Sequence, residues 1–271
     1  MLELTSLNII SFLLIFFIGL PHGSFDGAVA SLVGFKTKTK FLQFIILYLF
    51  LFLSVILFWF FFPITSLSIF LLMTVCHFGL CDWTNFNIKK YKYSISITYG
   101  MTIIFGIIFF NESQSFQIFE YLTNEKIYSF KKYFFIPYTL TLLLIFYFIY
   151  LSFYEPKIRI GIIEIFSLLV IFYIFDPLLS FAIYFCFFHT YKHLKHLVSN
   201  IYLYLPNKKF VIYSTLIFTL ISWIGGILIT LFLLQNFNIY QSIIKVIFIG
   251  LAALTLPHMI LVDLVYRKRF K

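Results

Sequence analysis

Charged residues are scarce in this chain. Asp, Glu, Lys and Arg make up 11% of its 271 residues, where a soluble domain carries about a quarter. That shortage excludes a water-soluble globular domain. A hydrophobic content of 62% and a mean hydropathy of +1.01 point instead to an all-α, polytopic integral membrane helix bundle. Acidic groups are the rarer sign, 10 against 20 Lys and Arg. In a membrane protein the resulting charge of +10 belongs to cytoplasmic loops, so no nucleic-acid partner is expected. Cysteine is rare too. Cys76, Cys81 and Cys186 all fall inside apolar runs, which excludes a disulfide framework, and Cys76 and Cys81 are not spaced like a zinc ribbon. The first residues lack the basic region and cleavage site of a signal peptide, so the N-terminal run reads as a first span kept in the mature protein. No soluble domain, repeat or low-complexity linker appears, and residues 1–271 read as a single transmembrane domain.

Apolar runs of span length occur at Leu4–Val33, Phe41–Phe62, Ile64–Trp83, Ser94–Phe110, Phe134–Phe153, Ile158–Phe175, Pro177–Val198, Phe210–Leu234 and Ile243–Tyr266. The first is too long for one straight helix, and Pro21 is expected to kink it. The junctions at Pro63 and Asp176-Pro177 are tight, so seven to nine spans are expected, with Asp176 capping the helix that Pro177 begins. With an external N-terminus, all of the 20 Lys and Arg except Lys126, Lys131, Lys132 and Lys245 fall on the inner side. That asymmetry predicts a cytoplasmic C-terminus, a cell (inner) membrane location, and Asn111–Tyr133 as an external loop or interfacial helix.

Ionisable groups inside spans are costly and point to function. Here they are mostly histidine: His22 with Asp26, His77 with Asp82, His189, His193 and His196, and His258 with Asp263. At 1.5 Å per residue His77, His189, His193 and His258 lie about 18–24 Å into their runs, and His22 about 27 Å along a kinked one. Five imidazoles from four spans thus fall in one layer of the inner half of the membrane. His189 and His193 stand at i, i+4, a spacing that can chelate one metal ion. Position 190 is Thr rather than Glu, which disfavours zinc-protease chemistry. Imidazoles with open positions suit Fe(II) that binds O2 beside an apolar substrate. Asp26 and Asp82 are placed to accept hydrogen bonds from ligand N–H groups, or to act as interfacial carboxylates near Lys38 and Lys89. His196, one turn nearer the basic loop, reads as an interface residue.

With these motifs placed, the chain resembles the Brp/Blh family of bacterial and archaeal β-carotene 15,15′-dioxygenases. The resemblance rests on Pro21-His22-Gly23-x-x-Asp26, His77-Phe78-Gly79-x-x-Asp82, His189-x-x-x-His193 and Pro257-His258-Met259, in that order. It departs in the third motif, typically His-Ser-x-Arg-His, where Thr190 keeps the hydroxyl and Lys192 keeps the charge without the planar fork. The resemblance implies iron-dependent cleavage of the central double bond of β-carotene by O2, giving two all-trans-retinal molecules. By position it implies His22, His77, His189 and His193 as the iron ligands, with His258 a fifth ligand or a hydrogen-bonding neighbour. Retinal would then pass to a rhodopsin-type protein. The residues alone leave other classes open: a haem-binding electron-transfer protein, a membrane desaturase or hydroxylase (for which six histidines are few), and a non-catalytic transporter or accessory protein. No lysine sits centrally in a late span, which disfavours an opsin.

Overall fold

A computed structural model of the protein describes residues 4–83, 91–205 and 207–266, and within them the side chains of His196, Tyr202, Leu264 and Val265 are not described. Lys89, Lys90 and the basic C-terminal residues Arg267–Lys271, on which the expected sidedness partly rests, lie outside the described residues. Among the described residues there is no strand, and seven helices are long and apolar enough to cross a membrane. The protein is a multi-pass, all-helical membrane protein.

The helices are α1 (Ser6–Leu14), α2 (Asp26–Val33), α3 (Lys38–Phe61), α4 (Pro63–Asp82), α5 (Lys92–Phe110), α6 (Glu112–Thr123), α7 (Phe135–Tyr154), α8 (Arg159–Ile174), α9 (Pro177–Ile183), α10 (Thr190–Tyr204), α11 (Lys208–Leu233) and α12 (Ile239–Met259). Their ends follow local chemistry. Asp176 Oδ1 accepts from the backbone N–H groups of Leu178 and Leu179, each at 3.0 Å, with Pro177 in the first turn. Asn207 and Asn238 cap α11 and α12 in the same way. Gly34, at φ 125°, closes α2 in a conformation that a side chain would strain. The segment expected as an external loop or interfacial helix includes α6, which buries Phe116, Phe119 and Leu122 on one face.

Three of the runs are not uniform α-helix. Between α1 and α2 the chain widens into a π turn over Ile15–Gly19 and then tightens into a 3₁₀ turn over Leu20–Phe25, which holds Pro21 and His22. Pro21 supplies no N–H for the α ladder, and regular α-helix is interrupted where the sequence places the kink. The run Pro177–Val198 is likewise divided. Its π turn, Tyr184–His189, ends on His189, and regular helix resumes at Thr190. The uniform 3.6-residue period assumed from the sequence therefore does not hold across His189. A third π turn, Ile260–Tyr266, follows α12 directly after His258 and Met259. Wide turns of this kind are most often found at functional sites.

The chain forms two compact units, one of residues 1–11 and 67–189, the other of 12–66 and 190–271. In the first, α4 and α5 meet with almost no side chain between them. A Cβ built on Gly79 would sit 1.9 Å from the Ser96 carbonyl oxygen, and one on Gly100 would sit 1.9 Å from that of Val75. Small residues let membrane helices approach this closely, since packing rather than water expulsion holds them together in lipid. Trp83, just beyond α4, fills a notch against Gly161 of α8, where a Cβ would meet its ring at 2.1 Å. Asn111 ties the end of α5 to the end of α8 by donating to the carbonyls of Phe172 (2.9 Å) and Phe175 (3.1 Å). In the second unit α2, α3, α10 and α11 enclose a core that includes Ala28, Val29, Tyr48, Leu197 and Val211. Trp223 of α11 donates to the Phe16 carbonyl, 2.8 Å away in the first π turn. Outward faces carry large apolar groups, such as Phe60 and Phe153, suited to lipid.

The glycine contact gives a direct test. Gly79→Ala should lower stability by about 1–3 kcal/mol, the usual cost of forcing extra volume into a packed core. Gly225→Ala, where nothing lies within 4 Å of the added Cβ, should be neutral or slightly stabilising. Thermal unfolding in detergent of the two variants against wild type checks both.

Candidate metal centre

The first unit brings His77 and His189 together. Their ring centroids are 5.0 Å apart, and both side chains are buried. His189 is held on several sides. Phe185 stacks on it at 5.8 Å and 10°, and Phe78 lies 4.7 Å away. Its Nδ1 lies 3.0 Å from Asp82 Oδ1, and Tyr184 donates to the other carboxylate oxygen at 2.8 Å. An aspartate oxygen can only accept, so Nδ1 carries the proton and Nε2 carries the lone pair that a metal needs. Next in the chain of contacts, the Tyr184 ring lies 6.4 Å from that of Tyr99, whose hydroxyl donates to Glu164. Glu164, isolated in the sequence, thus has a phenol partner. The Asp82 carboxylate is fully enclosed and Glu164 half-buried, and burying a charge is tolerable only with such partners.

The second unit brings His22, His193 and His258 into a triangle. Centroid separations are 5.7 Å for His22–His193, 5.5 Å for His22–His258 and 5.2 Å for His193–His258, all edge-on. Asp26 again orients an imidazole, with its Oδ1 2.8 Å from His258 Nδ1, while Tyr48 donates to its Oδ2 at 2.9 Å. His22 directs Nδ1 at the Gly19 carbonyl, in the turn where the helix is interrupted. His22 and His258 are therefore both Nδ1–H tautomers with Nε2 as the donor. Three buried imidazoles this close cannot all be protonated without strong mutual repulsion. As neutral groups they form a donor set that suits iron, copper, zinc or nickel. That chemistry fits a metal in either unit.

Several features were not legible in the sequence. The aspartate four residues after His22, Asp26, orients His258, and the one five residues after His77, Asp82, orients His189. Tyr48 and Tyr184 carry no local signal among 19 tyrosines. His258 stands as close to His22 and His193 as they do to each other. His196 has no described side chain, so its role as an interface residue falls outside the described set.

The sequence profile of a family described as β-carotene 15,15′-dioxygenase matches residues 13–266. A relative named β-carotene 15,15′-dioxygenase, from the uncultured marine bacterium 66A03, is 31% identical over 264 residues, which cover 94% of this chain and 92% of the relative. No solved structure matches the chain.

The two Asp–Tyr pairs predict a graded effect. Asp82→Asn and Asp26→Asn should each weaken binding of a divalent metal by about 10- to 100-fold, the usual consequence of losing the partner that orients a ligand. Tyr184→Phe and Tyr48→Phe should act in the same direction but less. Metal titration of the purified variants, with circular dichroism to check helicity, measures this.

Proposed function

Because the chain belongs to the β-carotene 15,15′-dioxygenase family, we propose that it cleaves the central 15,15′ double bond of β-carotene with O2 and releases two molecules of all-trans-retinal. The observation that best supports this is a set of buried imidazoles, of which His189 and His258 are oriented by aspartates and His22, His77 and His258 lie on helices long and apolar enough to span a membrane. Such groups combine a metal-binding donor set with surroundings that a hydrocarbon substrate can enter from lipid.

In this reading His22, His77, His189 and His193 hold Fe(II), and His258 either joins them or hydrogen-bonds beside them. Bound iron would supply the activation of O2 that a closed-shell polyene otherwise resists. The remaining tasks fall to the protein. Asp82 and Asp26 keep Nδ1 of His189 and His258 protonated, so that each ring presents Nε2. Tyr184 and Tyr48 hold those carboxylates in place from the far oxygen. Phe78 and Phe185 fix the plane of His189 and keep water from it. Apolar surfaces would fix the register of the rigid, bilayer-length substrate, which is what makes cleavage central rather than eccentric. The asymmetric distribution of Lys and Arg supports a bacterial cell (inner) membrane location with the C-terminus in the cytoplasm, and the product would pass to a rhodopsin-type protein.

Expression in a β-carotene-producing bacterium tests the proposal. Orange colour should be lost and retinal should appear, while His189→Ala, His22→Ala, His77→Ala and His193→Ala should each leave the cells coloured. Bleaching that persists in those variants refutes the ligand assignment. Apocarotenals of unequal length refute central cleavage, and a Soret band in the purified protein would favour haem. Treating the purified enzyme with a chelator should abolish turnover, and Fe(II) should restore it.

A further inference from the structure

Cys81 lies on α4 one turn after His77, at the same i, i+4 spacing that separates His189 from His193. It is buried, with 5% of its surface exposed. One ligand atom from each of His77, Cys81 and His189 lies within 4.8 Å of the others. We propose that Cys81 is a further metal ligand, adding its thiolate to the divalent first-row transition ion that His77 and His189 bind. The proposal deepens the metal-binding reading of His77 and His189 and rests on it.

Distances and charge both support the set. Around one ion, metal–sulfur bonds of about 2.3 Å and metal–nitrogen bonds of about 2.0–2.1 Å hold neighbouring donors roughly 3–3.6 Å apart. The 4.8 Å bound is within reach of that after small side-chain rotations. Charge is the stronger argument. Neutral imidazoles, however many, leave a divalent ion with its full double charge beside a helix long and apolar enough to span the membrane, where isolated charge is costly. A coordinated thiol is deprotonated. Its S–H proton passes to solvent as the metal–sulfur bond forms, so the site takes up one net positive charge. The Asp82 carboxylate, 3.0 Å from His189 Nδ1, offsets that remainder. Neither Cys76, which is exposed, nor Cys186 belongs to a donor group among the described residues.

The probe is Co(II), added to the purified full-length protein, because thiolate-bound cobalt gives an intense near-ultraviolet charge-transfer band. Wild type should show that band at one site. Cys81→Ala and Cys81→Ser should lose it and bind cobalt more weakly, by at least the tenfold or so that losing an outer partner costs. Cys186→Ser should keep it. X-ray absorption of the zinc-loaded wild type, which needs no variant to fold, should show one sulfur neighbour at about 2.3 Å. A band unchanged in Cys81→Ala, or no sulfur neighbour around the metal, overturns the proposal. If cobalt binds without the band and is lost in His77→Ala, the thiolate alone is refuted and the imidazoles stand. If wild type binds no cobalt or zinc at all, the metal-binding reading falls with it.

Discussion

A carboxylate closed off from water inside a membrane protein must be matched by donors, and that requirement organises both units. Leaving such a charge without its partner typically costs about 3–5 kcal/mol. Asp82 meets the requirement through His189 Nδ1–H and the Tyr184 hydroxyl, and Asp26 through His258 Nδ1–H and the Tyr48 hydroxyl. The same His–Asp–Tyr arrangement thus occurs in each unit. Once it is satisfied, much else follows: the tautomer of the ring, the nitrogen it presents, and the rotamers of the aromatic groups around it.

Such precise polar contacts need backbones that do not drift. In the first unit that role belongs to glycine. Gly79 and Gly100 bring α4 and α5 into backbone contact two residues beyond His77, and Gly161 admits the Trp83 ring directly beyond Asp82. The contacts bracket the polar pair, so the short hydrogen bonds are anchored by packing on both sides. Gly79, which in sequence looks like a motif letter, has a steric explanation that involves no ligand.

Much of this was legible in the sequence, and the boundary has a physical basis. Helix class and span positions depend on the local density of apolar side chains, which the sequence displays directly. The interruption of the helix at Pro21, the cap at Asp176 and the identity of the costly groups, His22, His77, His189, His193 and His258, were readable for the same reason. Pairing was not. Asp26 reaches a histidine 232 positions away and Asp82 one 107 positions away, and no periodicity encodes a contact of that range. Cys81 is the intermediate case. Its spacing from His77 was visible, but a cysteine in an apolar run reads as a small hydrophobe until imidazoles are found beside it.

The π turns have a consequence of their own. Each carries roughly one residue more than an α-helical path of the same length would need, so the chain has slack beside three of its histidines: before His22, at His189 and after His258. In an ordinary membrane helix a one-residue deletion rotates everything downstream and wrecks the packing. At these places the lost residue could be absorbed by a return to α geometry, leaving a sound helix whose imidazole faces elsewhere. Chain continuity and imidazole orientation are therefore set separately at these points: the helix can close without the extra residue, but the ring then turns away from its present partners.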